Sequence, residues 1–232
     1  MTVGLGKRQR RLGSMSSPLA RSGDPSERIR GPCAFICRGK LSAGRCGIPI
    51  RGGPIHDASH GLSFIKLRLR PMDVSDADTF ADWASDPVFL AHAGWSGRAT
   101  VEELTVWWVA FIAAPDPQLV RLSAVSGDDV VGYVDLHGDE QSTRELGFVI
   151  GPSSRWGRGL GTMAASAGLE YGFDVLKLSS VWAEAVDANV GSLRVLERIG
   201  MTRTGAGDDD MFLGVTSTYS RFALSRSDWE QR

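Results

Sequence analysis

The chain has 232 residues, 42% hydrophobic and 23% charged, with a formal net charge of -1. That length suits one domain with an extension, or one large domain. No run approaches the ~18 apolar residues of a membrane span, and no apolar core follows the N-terminal charges, the Arg10-Arg11 pair included. Neither a transmembrane helix nor an export signal is therefore expected. The near-neutral total hides a division. Residues 1–62 carry 11 Lys/Arg against 3 Asp/Glu, whereas residues 63–232 carry 15 against 24. All seven Trp and all three Tyr lie behind Leu62, and all three Cys lie ahead of it. This predicts a basic segment over residues 1–62 and an acidic globular domain over residues 63–232, free of cysteine and hence of disulfides. A cytoplasmic setting follows as the expectation.

Residues 1–61 hold 11 of the 28 Gly and 5 of the 10 Pro. So little apolar surface cannot offset chain entropy, and the segment reads as disordered. Cys33, Cys37, Cys46, His56 and His60 raise the question of a metal. Their C-x3-C spacing lacks the tight C-x2-C knuckle of zinc modules, so no metal is expected. Lys7, Arg8, Arg10 and Arg11 read as a solvated tail rather than a nucleic-acid contact. A start site downstream, making this stretch an extension of the gene model, is the alternative reading.

Phe64–Arg70 alternates apolar and basic residues, which predicts a strand with one wet face, closed by Pro71. Asp73 to Asp76 supply N-caps for a helix carrying Ala77, Phe80, Ala81 and Trp83, and Ser85-Asp86-Pro87 stops it. A loop runs through Gly94-Trp95-Ser96-Gly97. Thr100 and Glu103 form a capping box that opens a helix through Leu104, Trp107, Trp108, Phe111 and Ile112. Adjacent helical residues diverge, so only one of Trp107 and Trp108 can face a core. Strands follow at Leu119–Val125, Val130–His137 and Arg144–Ile150, the first two joined by a turn at Gly127-Asp128-Asp129. A helix is expected from about Thr162 to Phe173, a strand at Leu178–Ala185, and a helix at Asn189–Ile199 ended by Gly200. Met211–Leu224 supplies one or two last strands. The order describes a mixed α/β domain with about four helices.

Between the third strand of the meander and its following helix lies Arg155-Trp156-Gly157-Arg158-Gly159-Leu160-Gly161-Thr162. Its glycines let the backbone turn tightly and approach a ligand. The helix start behind them presents unpaired N–H groups and a positive dipole end, suited to phosphate or pyrophosphate. Arg155 and Arg158 add charge. A glycine cluster alone is a weak signal, but two familiar alternatives fail. The G-x-G-x-G spacing departs from the dinucleotide fingerprint, and no G-x-x-x-x-G-K-[ST] loop is present.

Three separated stretches resemble the GNAT superfamily of N-acetyltransferases. They are Arg144–Ile150, Arg155–Thr162 and Asn189–Met201. The branch they resemble most is the Rim type, which acetylates ribosomal-protein N-termini. The resemblance covers about Leu67 to Leu224. It implies a GNAT-like α/β fold, with a mostly antiparallel sheet split in a V between two parallel strands, here Arg144–Ile150 and Leu178–Ala185. It also implies acetyl-CoA as co-substrate, with backbone groups of Phe148, Val149 and Ile150 pairing with the pantetheine arm. The family's pyrophosphate loop maps onto Trp156, Gly157, Arg158, Gly159, Leu160 and Gly161. Trp156 stands where many members carry Gln or Arg, and Thr162 opens the helix within reach of phosphate. Asn189 matches the Asn that hydrogen-bonds near the thioester, and Ser192 completes the N-x-x-S pattern of the branch. Many members place a Tyr at the position of Leu196 as the acid for the leaving thiolate. With Leu there, Ser192 is the substitute, and Glu145 holds the strand position of the family's general base. His137 is the alternative base.

The expected activity is acetyl transfer to a primary amine, on a protein N-terminus or a small molecule, by a monomer or homodimer. No membrane or nucleic-acid partner is expected. The missing Tyr motivates a second reading, an acyl-CoA sensor that kept the cradle and lost the chemistry.

Overall fold

The computed structural model describes residues 2–3, 66–95, 99–114 and 116–232. The remainder of the segment expected to be disordered, with Cys33, Cys37, Cys46, His56 and His60, lies outside the described residues. So do Phe64 and Ile65, the start of the first expected strand.

The strands are β1 (Thr2–Val3), β2 (Leu67–Pro71), β3 (Leu119–Ser126), β4 (Asp129–His137), β5 (Thr143–Ile150), β6 (Ser180–Val186), β7 (Thr202–Phe212) and β8 (Val215–Ser225). The helices are α1 (Ala77–Asp82), α2 (Pro87–Ala93), α3 (Val101–Ala113), α4 (Leu160–Glu170), α5 (Val190–Arg198) and α6 (Arg226–Glu230). The strand order is β2-β3-β4-β5-β6-β8-β7, with β1 placed off this path beside β5. Every pairing is antiparallel except β5 with β6. These two parallel strands stay together only over Thr143↔Ser180, Arg144↔Val181 and Glu145↔Trp182. Beyond Glu145 they diverge, which gives the V-shaped split that the resemblance implied.

Side chains alternate across the sheet. Leu146, Phe148 and Ile150 point to the side of α4, where they meet Ala164, Leu169, Val181, Phe222 and other apolar residues. Val149 and Tyr133 point to the opposite side, into an aromatic cluster with Phe80, Trp83, Phe89, Trp95 and Trp108 from the α1–α3 region. Trp108 is fully buried, whereas Trp107 is half-buried and stacks on Phe111 with ring centroids 5.1 Å apart. Burial of each such large side chain contributes about 2 kcal/mol. One buried carboxylate ties the cluster to the sheet. Asp76 accepts hydrogen bonds from Arg70 Nη1 at 2.7 Å, Ser123 Oγ at 2.7 Å and the Asp73 N–H at 3.0 Å. Burial raises its pKa, but these donors prevail and hold it below the ordinary carboxylate value.

Besides β1, which forms within residues expected to be disordered, and α6, which follows the last strand unannounced, two further elements depart from expectation. Asp86-Pro87 ends one helical run and also starts another. The Asp86 carboxylate accepts from the Val88 and Phe89 N–H groups, and Pro87 sits in the first turn, where its missing N–H costs nothing. The segment expected to be a loop is therefore α2, closed by Gly94 at φ 67°. The other departure is β7, which begins at Thr202 and not near Met211. Its Gly205–Asp210 stretch is polar and mostly exposed, so it carries no alternation to read, and pairing with β8 makes it a strand.

Candidate active site

The glycine loop is anchored before it turns. The Trp156 indole N–H donates to the Ile150 carbonyl at 2.7 Å, tying the loop to the end of β5. Its ring contacts His92, which in turn contacts Phe212 at the tip of the β7–β8 hairpin. Gly157 and Gly159 both have positive φ, 75° and 80°, with no atom near an added Cβ. Gly159 is the N-cap of α4 and offers no side chain to satisfy the first-turn N–H groups, which leaves them available to water or to an anion.

The loop opens onto a cavity of about 280 Å³. It is lined by Ile150, by Arg155, Trp156, Gly157, Gly159, Leu160, Gly161 and Thr162, and by Gly191, Arg194, Val195 and Arg198 of α5. Arg158 is exposed and does not line the cavity. Arg155 does line it, but its guanidinium is engaged, donating to the Val130 carbonyl at 2.9 Å and pairing with Asp129 at 3.3 Å. The cavity's other two cations are Arg194 and Arg198. Their i,i+4 spacing puts them on one face of α5, and the sequence reading passed over them.

Phe148, Val149 and Ile150 lie on β5 past its last pair with β6, so the edge of that stretch borders the split. At the start of α5, Asn189 is buried and its Oδ1 accepts from the Ser192 N–H at 3.2 Å. Ser192 is fully buried, as is Leu196.

Glu145 sits at the point where β5 and β6 part, and is 5% exposed. Its cross-strand neighbours are His137 on β4 and Trp182 on β6, so all three share a face. Two residues along β6 on that face is Glu184, also 5% exposed, which accepts from Arg221 Nε on β8 at 3.0 Å. Tyr219, opposite Val186, lies farther along and donates to Asp210 at 3.2 Å. Burial first, then the charges of Asp210, Glu184 and Glu145, push the Tyr219 hydroxyl well above its usual range. Glu145, Glu184, Asp210 and Tyr219 thus border one acidic region on the α1–α3 side of the sheet. Sequence reading found only Glu145, because the others join it through strand register.

A glycine loop at a helix start, a sheet split between two parallel strands, and a buried carboxylate at the apex occur together here. The family model described as "Acetyltransferase (GNAT) domain" matches residues 66–202. The chain belongs to this family. Among curated relatives, this GNAT chain is 24% identical over 146 residues to an uncharacterized N-acetyltransferase, p20, from Bacillus licheniformis, covering 60% of the chain and 81% of that protein. A solved GNAT-family acetyltransferase from Bacillus anthracis matches with TM-score 0.58 and 24% identity, covering 71% of this chain and 99% of that one. Spermidine N-acetyltransferase from Vibrio cholerae, solved with CoA and spermine, matches with TM-score 0.61 and 18% identity over 71% of this chain and 98% of that one. At these identities the solved structures establish the fold. Among the described residues, no helix is long and apolar enough to cross a membrane, and no three His, Cys, Asp or Glu side chains are grouped to hold a metal ion.

Proposed function

We propose that this GNAT-family enzyme transfers an acetyl group from acetyl-CoA to a primary amine in a ternary complex. The observation that carries the reading is the split itself. It has a glycine-cradled helix start and two α5 arginines at its mouth, and a buried carboxylate at its apex. Gly157, Gly159, Leu160, Gly161 and Thr162 hold the pyrophosphate, with Arg194 and Arg198 supplying positive charge. The edge of Phe148–Ile150 that faces the split pairs with the amides of the pantetheine arm. Glu145 removes a proton from the acceptor ammonium, directly or through a water. The amine nitrogen then attacks the thioester carbonyl, the C–S bond breaks, the nitrogen sheds its surplus proton to give the amide, and the thiolate takes up a proton. Asn189 and Ser192, at the start of α5, orient the leaving side, with Ser192 the proton donor.

The acidic region around Glu184 and Asp210 favours a cationic acceptor. The solved relatives include a spermidine N-acetyltransferase and an aminoglycoside acetyltransferase, and both acceptors are cationic amines. A protein N-terminus, as in the Rim-type branch suggested by the N-x-x-S pattern, belongs to the same reading, as does a cytoplasmic setting. The test is acetyl transfer across polyamines, aminoglycosides and N-terminal peptides, for the wild type and Glu145→Gln. Turnover of at least one amine, with kcat reduced about 100-fold or more in Glu145→Gln, is the expected result. Saturable acetyl-CoA binding with no turnover of any amine would favour the sensor reading, to which the buried Leu196 points.

A further inference from the structure

The free edge of β5 inside the split is taken by the chain itself. Thr2↔Val149 and Val3↔Phe148 are antiparallel strand partners, and these β5 residues lie past Glu145, where β6 has departed. β5 is paired with β4 along its other side over the same stretch, Tyr133↔Val149 and Val134↔Phe148. On β5, its backbone groups facing the split are therefore the ones that a further strand can use. An extended polypeptide offers alternating amide donors and acceptors, and a pantetheine arm offers two amides. Both need the same groups, and one edge cannot serve both at once.

We propose that the Thr2–Val3 strand is an intramolecular occupant of the acyl-CoA split, which must leave before the co-substrate enters. The proposal rests on the acyl-CoA reading above. Strand addition to an open sheet edge is a general mode of peptide binding. Here the peptide is tethered to the sheet it caps, which raises its local concentration and lets so short a strand compete. Acyl-CoA affinity is then reduced by the fraction of molecules whose split is open.

The experiment uses the full chain and the variant Thr2→Pro/Val3→Pro. Successive residues of a strand direct their N–H groups to opposite sides, so one of the two faces β5. Proline at both positions removes it whichever it is. A second variant, Thr2→Ser/Val3→Ile, keeps both N–H groups. Calorimetric titration with coenzyme A is expected to give a Kd about fivefold lower for the proline variant, the factor for one net hydrogen bond, and a wild-type Kd for the conservative one. Amide exchange in the peptide spanning residues 146–150 is expected to speed up in the proline variant alone, and to slow again with coenzyme A. Equal affinities in all three proteins would overturn the competition while leaving the acyl-CoA reading intact. Unchanged exchange would show that the strand does not cover β5. Absence of saturable coenzyme A binding in every protein would overturn the acyl-CoA reading and the competition with it.

Discussion

Replacing Gly159 by Ala separates the cost of bending the loop from its purpose. Gly159 has φ 80° and ψ -5°, and no atom lies within 4 Å of an added Cβ. The substitution therefore causes no clash, and its cost is that of holding an L-residue in a left-handed conformation, about 1–2 kcal/mol. For a domain of this size that lowers Tm by about 3–6 °C. If the loop relaxes to escape the strain, the N–H groups at the start of α4 turn away from the cavity. Each charge-assisted hydrogen bond to a phosphate lost in this way removes about 1.5–3 kcal/mol, a ten- to hundredfold loss of CoA affinity. Gly127, in the turn between β3 and β4, is the control: φ 61°, equally open space around its Cβ, and no place in the cavity lining. Gly127→Ala should lose the same stability and bind CoA as the wild type does. Thermal unfolding together with calorimetric titration of CoA makes the comparison. If Gly159→Ala behaves like Gly127→Ala in both measurements, the glycine loop is only a turn and the assigned phosphate cradle is wrong.

Arg194→Gln/Arg198→Gln should weaken CoA binding about tenfold at low ionic strength, with a smaller effect in high salt, since exposed charges are screened; titration at two salt concentrations tests this. Asp76→Asn should cost about 2 kcal/mol at neutral pH, because the buried carboxylate holds Arg70, Ser123 and the Asp73 N–H together. The native pKa of Asp76 lies below its ordinary value, so its stabilisation is complete above that value and is lost as pH falls through the native one. Acid denaturation of Asp76→Asn should accordingly be shallower than that of the wild type below about pH 4. Gly151→Ala should cost about 1–3 kcal/mol by a different route, overpacking, because a Cβ there would overlap the Trp83 indole; chemical denaturation with Trp fluorescence reads it.

Where the sequence was legible, a local physical signal was strong. The short apolar runs of β3–β5, the turn at Gly127-Asp128-Asp129, the Thr100/Glu103 capping box and the Gly157–Gly161 loop each declare themselves within ten residues or fewer. Both partners of the capping box are in place, with the Thr100 N–H donating to Glu103 at 2.9 Å. Misreadings arose where one signal carries two meanings. Asp86-Pro87 stops a helix and equally begins one, and only the carboxylate's contact with the Val88 and Phe89 N–H groups decides for α2. Other contributors were not legible locally: Arg194 and Arg198 reach the cavity lining from α5, far along the chain from the glycine loop, while Arg158 beside the glycines is exposed. The company of Glu145 was hidden for a related reason. Glu184 and Tyr219 approach it through the register of β5, β6 and β8, which no single strand's pattern specifies.

The joint between the two halves of the sheet has a mechanical consequence. Only three facing residue pairs bridge β5 and β6, so the backbone ladder gives this seam little strength. What holds the leaves together is the oily layer behind them, where Leu146 and Leu136 from one leaf meet Val181, Ala183 and Phe222 from the other around Leu169. The seam should therefore weaken on cooling, as apolar cohesion does and hydrogen bonding does not, and the cold-sensitive line across this protein would run through the split proposed to hold acyl-CoA.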